Sequence, residues 1–239
     1  MISTLVLSAG LGTRLGAITK TLAKPAVPIG DQTIGERVLR WLAREGITDV
    51  VMNLHHLPHT ITGVIGDGAH LGVRVRYSLE PTLLGSAGGP RHALSLINTD
   101  PFLIVNGDTL TDVALAPVVD AHKRTNAHVT MVVIKNPAPD RYNGVVANAD
   151  GVVTGFIPKG HTVPSWHFVG IQVVNKSVFA PLPDNTLIET VSGVYREMVG
   201  ALPRVRIFPV DAVFYDVGTP EDYSATCRAF GTLPISTNG

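Results

Sequence analysis

The chain has 239 residues, nineteen lysines and arginines against nineteen aspartates and glutamates, and a single cysteine, Cys227. That balance excludes the bulk attraction that a nucleic-acid or membrane-surface binder needs, and one cysteine excludes an internal disulfide. With 45% apolar and 16% charged residues the chain is globular, and no apolar run approaches the ~18 residues of a membrane span. The expectation is a soluble protein of the reducing cytoplasm with no leader segment.

An apolar strand at Ile2–Leu7 opens the chain, and Thr33–Glu45 has helical spacing with Ile34, Val38, Trp41 and Leu42 on one face. Asp49–Leu54 reads as a strand, Pro58–Ile65 as a short helix opened by proline, and Val73–Ser78 as an alternating strand. Helix Gly88–Ile97, strand Phe102–Val105, helix Val113–Arg124 and a strand at Thr125–Ile134 continue the rhythm. This β-α-β-α order predicts a doubly wound parallel sheet covered by helices on both faces. After Asn136 the short strands Gly144–Asn148, Gly151–Pro158 and Phe168–Val174, broken by glycine and proline, suggest an antiparallel insertion. Helical spacing returns at Ile188–Val199, followed by strands Val205–Pro209 and Phe214–Val217 and a last helix from Pro220, with Thr219 as its N-cap. The tail from Gly231 is polar and expected to fray.

Chemistry concentrates where the first strand ends. Gly10 and Gly12 can open a turn whose backbone N–H groups cradle an anion. Arg14 adds a planar fork and Lys24 a point charge, both suited to phosphate oxygens. A dinucleotide-binding turn would want a third glycine where Leu15 stands. Farther on, Asn106-Gly107-Asp108 and Asp216-Val217-Gly218-Thr219 each place a carboxylate beyond an apolar strand. Taken singly, each reads as a turn aspartate; taken together they suit Mg²⁺, which takes a few carboxylates plus phosphate oxygens. A zinc reading of His55, His56 and His59 is disfavoured, because Pro58 interrupts the turn that would align them.

The run Gly10-Leu11-Gly12-Thr13-Arg14-Leu15 with Lys24-Pro25 ten residues on resembles the signature of the sugar-1-phosphate nucleotidyltransferases (nucleotide-sugar pyrophosphorylases). The resemblance covers roughly residues 2 to 230. It implies a three-layer (α/β/α) Rossmann-like mixed sheet with a small antiparallel sugar-binding insertion. A single domain over 1–239 would hold a nucleotide part at about 1–135, a sugar part at about 136–210, and a metal motif with the C-terminal helix at 211–230. It further implies Mg²⁺ on Asp108 and Asp216, and nucleotide contacts from Leu7, Ala9, Gly10, Gly12, Thr13, Gly85, Ser86, Gly88 and Asn106. Arg14, Lys24 and Lys159 are the implied catalytic cations. The substrates would be a nucleoside triphosphate and a sugar 1-phosphate.

On the sugar side the resemblance points to Gly144, Lys159, Val169, Gly170 and Glu189. The sequence departs from the pattern in two places. Pro158 stands where a sugar-binding glutamate is usual, and Asn143 is inserted between Tyr142 and Gly144. The loop Ser86-Ala87-Gly88 looks most like that of the mannose- and heptose-1-phosphate guanylyltransferases, which favours GTP; N-acetylmuramate-1-phosphate uridylyltransferases are the nearest alternative. A non-catalytic nucleotide-sugar-binding subunit is the alternative from another class, and a homo-oligomer stays open.

Overall fold

The computed structural model describes residues 2–161, 163–201 and 204–234; the end of the polar tail, 235–239, lies outside the described residues. In chain order the elements are β1 (Thr4–Leu7), β2 (Pro28–Ile29), β3 (Gln32–Thr33), α1 (Ile34–Arg44), β4 (Asp49–Leu54), α2 (Pro58–Ile65) and β5 (Arg74–Leu79). They continue with α3 (Gly85–Ala93), β6 (Phe102–Asn106), β7 (Thr109–Thr111), α4 (Leu115–Thr125) and β8 (Val129–Lys135). The insertion brings β9 (Gly144–Ala147), β10 (Val153–Ile157) and β11 (Trp166–Val174), and the chain closes with α5 (Tyr195–Met198), β12 (Val205–Pro209), β13 (Phe214–Asp216) and α6 (Pro220–Ala229).

A nine-stranded sheet runs β10-β9-β11-β6-β1-β4-β5, with β8 beside β11 and β12 beside β8. Strands β5, β4, β1 and β6 are parallel, while β11 is antiparallel to β6. Successive residues of β1 enter opposite layers. Val6 packs with Val50, Met52, Leu103 and Val105 on one face, and Leu5 with Val51, Phe102 and Ile104 on the other. Both faces are buried, so the central strands read as unbroken apolar runs, and each buried aliphatic side chain contributes roughly 1.5–3 kcal/mol. The expected doubly wound α/β fold is the observed one. Among the described residues no helix is long and apolar enough to cross a membrane.

The structure departs most from the sequence reading in three places. Helix α4 runs on to Thr125, ended by Asn126 in the left-handed region at φ 48, so β8 starts only at Val129. Helix α3 begins at Gly85, a turn before Gly88, because groups from residues 188–189 cap it. Ile188–Val199 is not one α-helix: Thr190–Val194 forms a π turn leading into the four-residue α5. Two valines, a threonine and Gly193 in that stretch are poor helix formers.

Candidate active site

The carboxyl ends of β1, β4 and β6 finish level, with Leu7 opposite Asn53 on one side and Asn106 on the other. The chain leaves β1 for β4 on one flank and later fills β6 on the other, so this rim is the switch point where ligands of open α/β sheets bind. Past Leu7 the backbone turns through 8–12 into a 3₁₀ segment, Thr13–Lys20. Gly12 has φ 65, and a Cβ there would stand 2.9 Å from Thr19 Cγ2, so both conformation and fit require glycine. Gly10, by contrast, keeps an ordinary φ and faces open space. Thr19 Oγ1 donates to the Gly12 carbonyl at 3.0 Å, and His56 Nε2 donates to the Thr19 carbonyl at 2.8 Å. His55 Nδ1 likewise meets the Glu80 carbonyl at 3.0 Å, so these two histidines position loops.

Among the described residues the amides of Gly10, Leu11 and Gly12 meet no protein acceptor. With Thr13, Arg14, Lys24, Gly107 and Asp108 these residues line a cleft of about 380 Å³. Lys24 is buried in a short 3₁₀ turn opened by Pro25, and its Nζ lies 2.5 Å from Asp108 Oδ2. Asp108 sits between β6 and β7. Strand β7 pairs antiparallel with β13, setting Thr109 opposite Asp216, and this two-stranded ladder brings the two distant aspartates together. Burial pushes the Asp216 carboxyl above its ordinary value, the Asp108 carboxylate raises it further, and Lys24 and Arg14 pull it back down. Arg14 Nη1 and Asp216 Oδ2 each lie 3.1 Å from the point a Cβ on Gly218 would occupy, so the missing side chain leaves room for both.

Among the described residues no group of three or more His, Cys, Asp and Glu side chains could hold a metal ion. Asp108 and Asp216 are a pair. A hard divalent ion needs no more when phosphate oxygens and water complete its shell. The repulsion that now raises Asp216 is what a dication between the carboxylates would relieve, so the donor set fits Mg²⁺.

The second glycine cluster is held from behind. Glu189 Oε2 accepts from Ser86 Oγ at 2.5 Å and from the Ser86 amide at 3.2 Å, and the Ile188 carbonyl accepts from Ala87 at 2.8 Å. Gly85, at φ 75, would drive a Cβ to 2.7 Å from the Ile188 carbonyl, and Gly88 is packed against the Thr186 carbonyl. Glu189 is therefore engaged with the start of α3. Sequence reasoning placed it on the sugar side and missed this pairing, since nothing local connects positions 86 and 189.

On the insertion, Gly170 has φ 79 at a register break in β11 and packs on Asn106; a Cβ there would lie 2.5 Å from Asn106 Nδ2. The bulge at Val169-Gly170-Ile171 thus presses against the strand end that precedes Asp108. Gly144 is packed against Ser165. Lys159 lies exposed beyond β10, and its amide donates to Asn143 Oδ1 at 3.0 Å, so the inserted asparagine secures the loop that carries it. The leading charges on Asp216 are Asp108, Lys24, Arg14 and Asp222, and Lys159 is not one of them. Four residues that the sequence reading did not place in the site gather against β13 and α6. Tyr142 stacks on His167 at 4.2 Å, Phe214 closes on His167 at 5.1 Å, and Arg141 pairs with Asp222 at 2.9 Å. Burial holds His167 down at about 4, so its ring is neutral at pH 7.

A rim-mounted glycine loop, two cations and two strand-end carboxylates thus meet at one edge of a doubly wound α/β sheet. The chain belongs to the nucleotidyl transferase family, whose model matches residues 3–230. Mannose-1-phosphate guanylyltransferase of Mycobacterium tuberculosis is 28% identical over 228 residues, which are 93% of this chain and 62% of that protein. The chain therefore spans less than two thirds of that relative's length. D-glycero-alpha-D-manno-heptose 1-phosphate guanylyltransferase of Campylobacter jejuni is 27% identical over 92% of this chain and 96% of its own. Among solved structures, HddC from Yersinia pseudotuberculosis complexed with GMP-PN superposes with a TM-score of 0.82 at 22% identity, over 96% of this chain and all of the other. UDP-glucose pyrophosphorylase from Acinetobacter baumanii gives 0.80 at 20% identity, over 97% and 94%.

Proposed function

We propose that the protein transfers a nucleoside monophosphate, from GTP in the first instance, to a sugar 1-phosphate, releasing pyrophosphate. The observation that carries this reading is the convergence of Arg14, Lys24 and Asp108 on one cleft above the glycine turn, with Asp216 beside them at Gly218. A phosphate oxygen of the sugar phosphate attacks the α-phosphorus; the new O–Pα bond forms as the bond from Pα to the bridging oxygen of the β-phosphate breaks. The nucleophile is already an anion at neutral pH, so no general base is needed. The site must instead bring two anions together and neutralise the charge that builds on the transferred group.

Arg14 and Lys24 serve the α-phosphate and the departing pyrophosphate, aided by the amides of Gly10, Leu11 and Gly12. Asp108 and Asp216 would hold Mg²⁺, which when bound supplies Lewis-acid neutralisation of the phosphate oxygens. Lys24 shields Asp108 until the substrate's charge arrives. Lys159 awaits the sugar phosphate from the insertion. The guanylyltransferases among the relatives favour GTP, and both act on manno-configured sugar phosphates. Arg14, Lys24, Asp108 and Asp216 are all present, which weighs against a purely regulatory subunit.

Pyrophosphate release, measured with GTP, UTP, dTTP, CTP and ATP against a set of sugar 1-phosphates, tests the reading. GTP with mannose or heptose 1-phosphate is expected to be fastest. No release from any pair would overturn the proposal.

A further inference from the structure

The β9·β10 ladder ends with Gly144 opposite Ile157. Pro158, the next residue, has no N–H, so it cannot donate to an extended ladder. The side chain of Asn143 takes over, and its Oδ1 accepts from the Lys159 amide at 3.0 Å. One residue on, the Gly160 amide donates to the Pro139 carbonyl at 2.9 Å. Exposed Lys159 is thus clipped through its backbone, by two successive amides, to the turn at 138–143.

That turn is itself anchored toward the reaction cleft. The Ala138 carbonyl accepts from the amides of Arg141 and Tyr142 at 2.9 Å each, which closes the turn. Outward, Arg141 Nη2 donates to Asp222 Oδ1 on α6, while Tyr142 stacks on His167 and His167 meets Phe214. Phe214 and Asp216 are two apart on β13 and so project from the same face of the strand. The charges agree with this placement. The hydrogen bond to Asp222 raises the Arg141 guanidinium above its ordinary value, and Asp216 adds to the rise. Burial raises the Tyr142 hydroxyl, Arg141 lowers it, and Asp216 raises it again. A continuous run of contacts therefore leads from the strand that carries Asp216 to the backbone of Lys159, with Asn143 as its last link. A hydrogen bond in an exposed turn adds little to the stability of the fold, whereas an ångström's displacement of a charged group costs binding and rate.

We propose that Asn143 is a positioning residue for the acceptor: by holding the Lys159 backbone, it fixes where the lysine's charge meets the phosphate of the incoming sugar phosphate. This rests on the sugar-phosphate role of Lys159 under the proposed function. Calorimetric titration of the full chain with mannose 1-phosphate, and separately with GTP, both with Mg²⁺, tests it in wild type, Asn143→Ala, Lys159→Ala and the double variant. Asn143→Ala is expected to weaken mannose 1-phosphate binding about tenfold while GTP affinity and the melting temperature hold. Added to Lys159→Ala, it should cost no more than about twofold further, because the asparagine acts through the lysine. An Asn143→Ala variant that binds mannose 1-phosphate as the wild type does, while Lys159→Ala does not, would overturn the inference and leave the role of Lys159 standing. So would an equal loss of both ligands, or an undiminished loss in the Lys159→Ala background. A Lys159→Ala variant with wild-type affinity would instead overturn the role of Lys159, and this inference with it.

Discussion

Asn53 donates from Nδ2 to Glu80 Oε1 across 2.6 Å, wholly inside the protein, at the ends of two neighbouring parallel strands. Each partner reaches further. Asn53 Oδ1 accepts from the Ser8 amide at 2.7 Å, where the first glycine loop begins, and Glu80 Oε2 accepts from the Leu84 amide at 3.1 Å, where the second begins. One buried pair therefore fixes the start of both loops. We expect Glu80→Ala to strand the Asn53 amide and the Leu84 N–H, costing about 3–6 kcal/mol of stability, since hydrogen bonds to charged groups are worth roughly 1.5–3 kcal/mol each. The same variant should raise KM for the nucleotide more than it lowers kcat. Chemical denaturation and steady-state kinetics check both, and an unchanged KM would mean the pair only stabilises the fold.

Arg14 is exposed and makes no ion pair with Asp216, although both approach Gly218. Under the proposed function its guanidinium serves the substrate, and it contributes little to the fold. Arg14→Ala should therefore leave stability within about 0.5 kcal/mol while turnover falls by orders of magnitude. Pyrophosphate release near the wild-type rate would remove Arg14 from the mechanism.

The parallel half of the sheet was legible because its strands are buried on both faces and its helices carry their own start signals, such as the capping box of Thr33 and Glu36 and the Thr219 cap on Asp222. The cleft residues were legible because glycine, arginine and lysine fall at fixed spacing within one loop, and the two aspartates follow apolar strands. What stayed hidden depends on long-range pairing. Strand β7 is three residues long, and its partner β13 lies a hundred positions away. Ser86 with Glu189 and Tyr142 with His167 meet only because distant segments fold over one another. The start of α3 was misjudged for the same reason, since its caps come from residues 188 and 189.

Asp216 carries a cost in the fold that its proposed role requires. Its pKa is raised by burial and by Asp108, so the folded state holds a proton there more tightly than the unfolded state does. That contribution to stability is complete below the ordinary carboxylate value of 3.8 and is lost as pH rises through the folded pKa. Asp216→Asn abolishes the ionisation. In metal-free buffer at pH 7 it should melt higher than wild type, with the gain shrinking as pH falls toward 4. Turnover should nevertheless collapse. Thermal melts across pH, paired with activity assays, check this; a variant that melts lower at pH 7 would show that attraction to Lys24 and Arg14 outweighs the repulsion.

His167 sets the opposite pH dependence. Burial holds its pKa at about 4, and neither ring nitrogen has a hydrogen-bonding side chain to compensate protonation. Unfolding lets the ring take up a proton below its ordinary value of 6.5, so the stability it contributes is complete above pH 6.5 and lost as pH falls to about 4. Across that window the wild type should lose up to about 1.4 kcal/mol per pH unit from this group alone. His167→Phe keeps a flat ring between Tyr142 and Phe214 without a titrating nitrogen, so its stability curve should run flatter between pH 6.5 and 4. Denaturation midpoints measured at half-unit intervals read the slope directly, and parallel curves for the two proteins would place the acid sensitivity elsewhere, with buried His122 the next group to test.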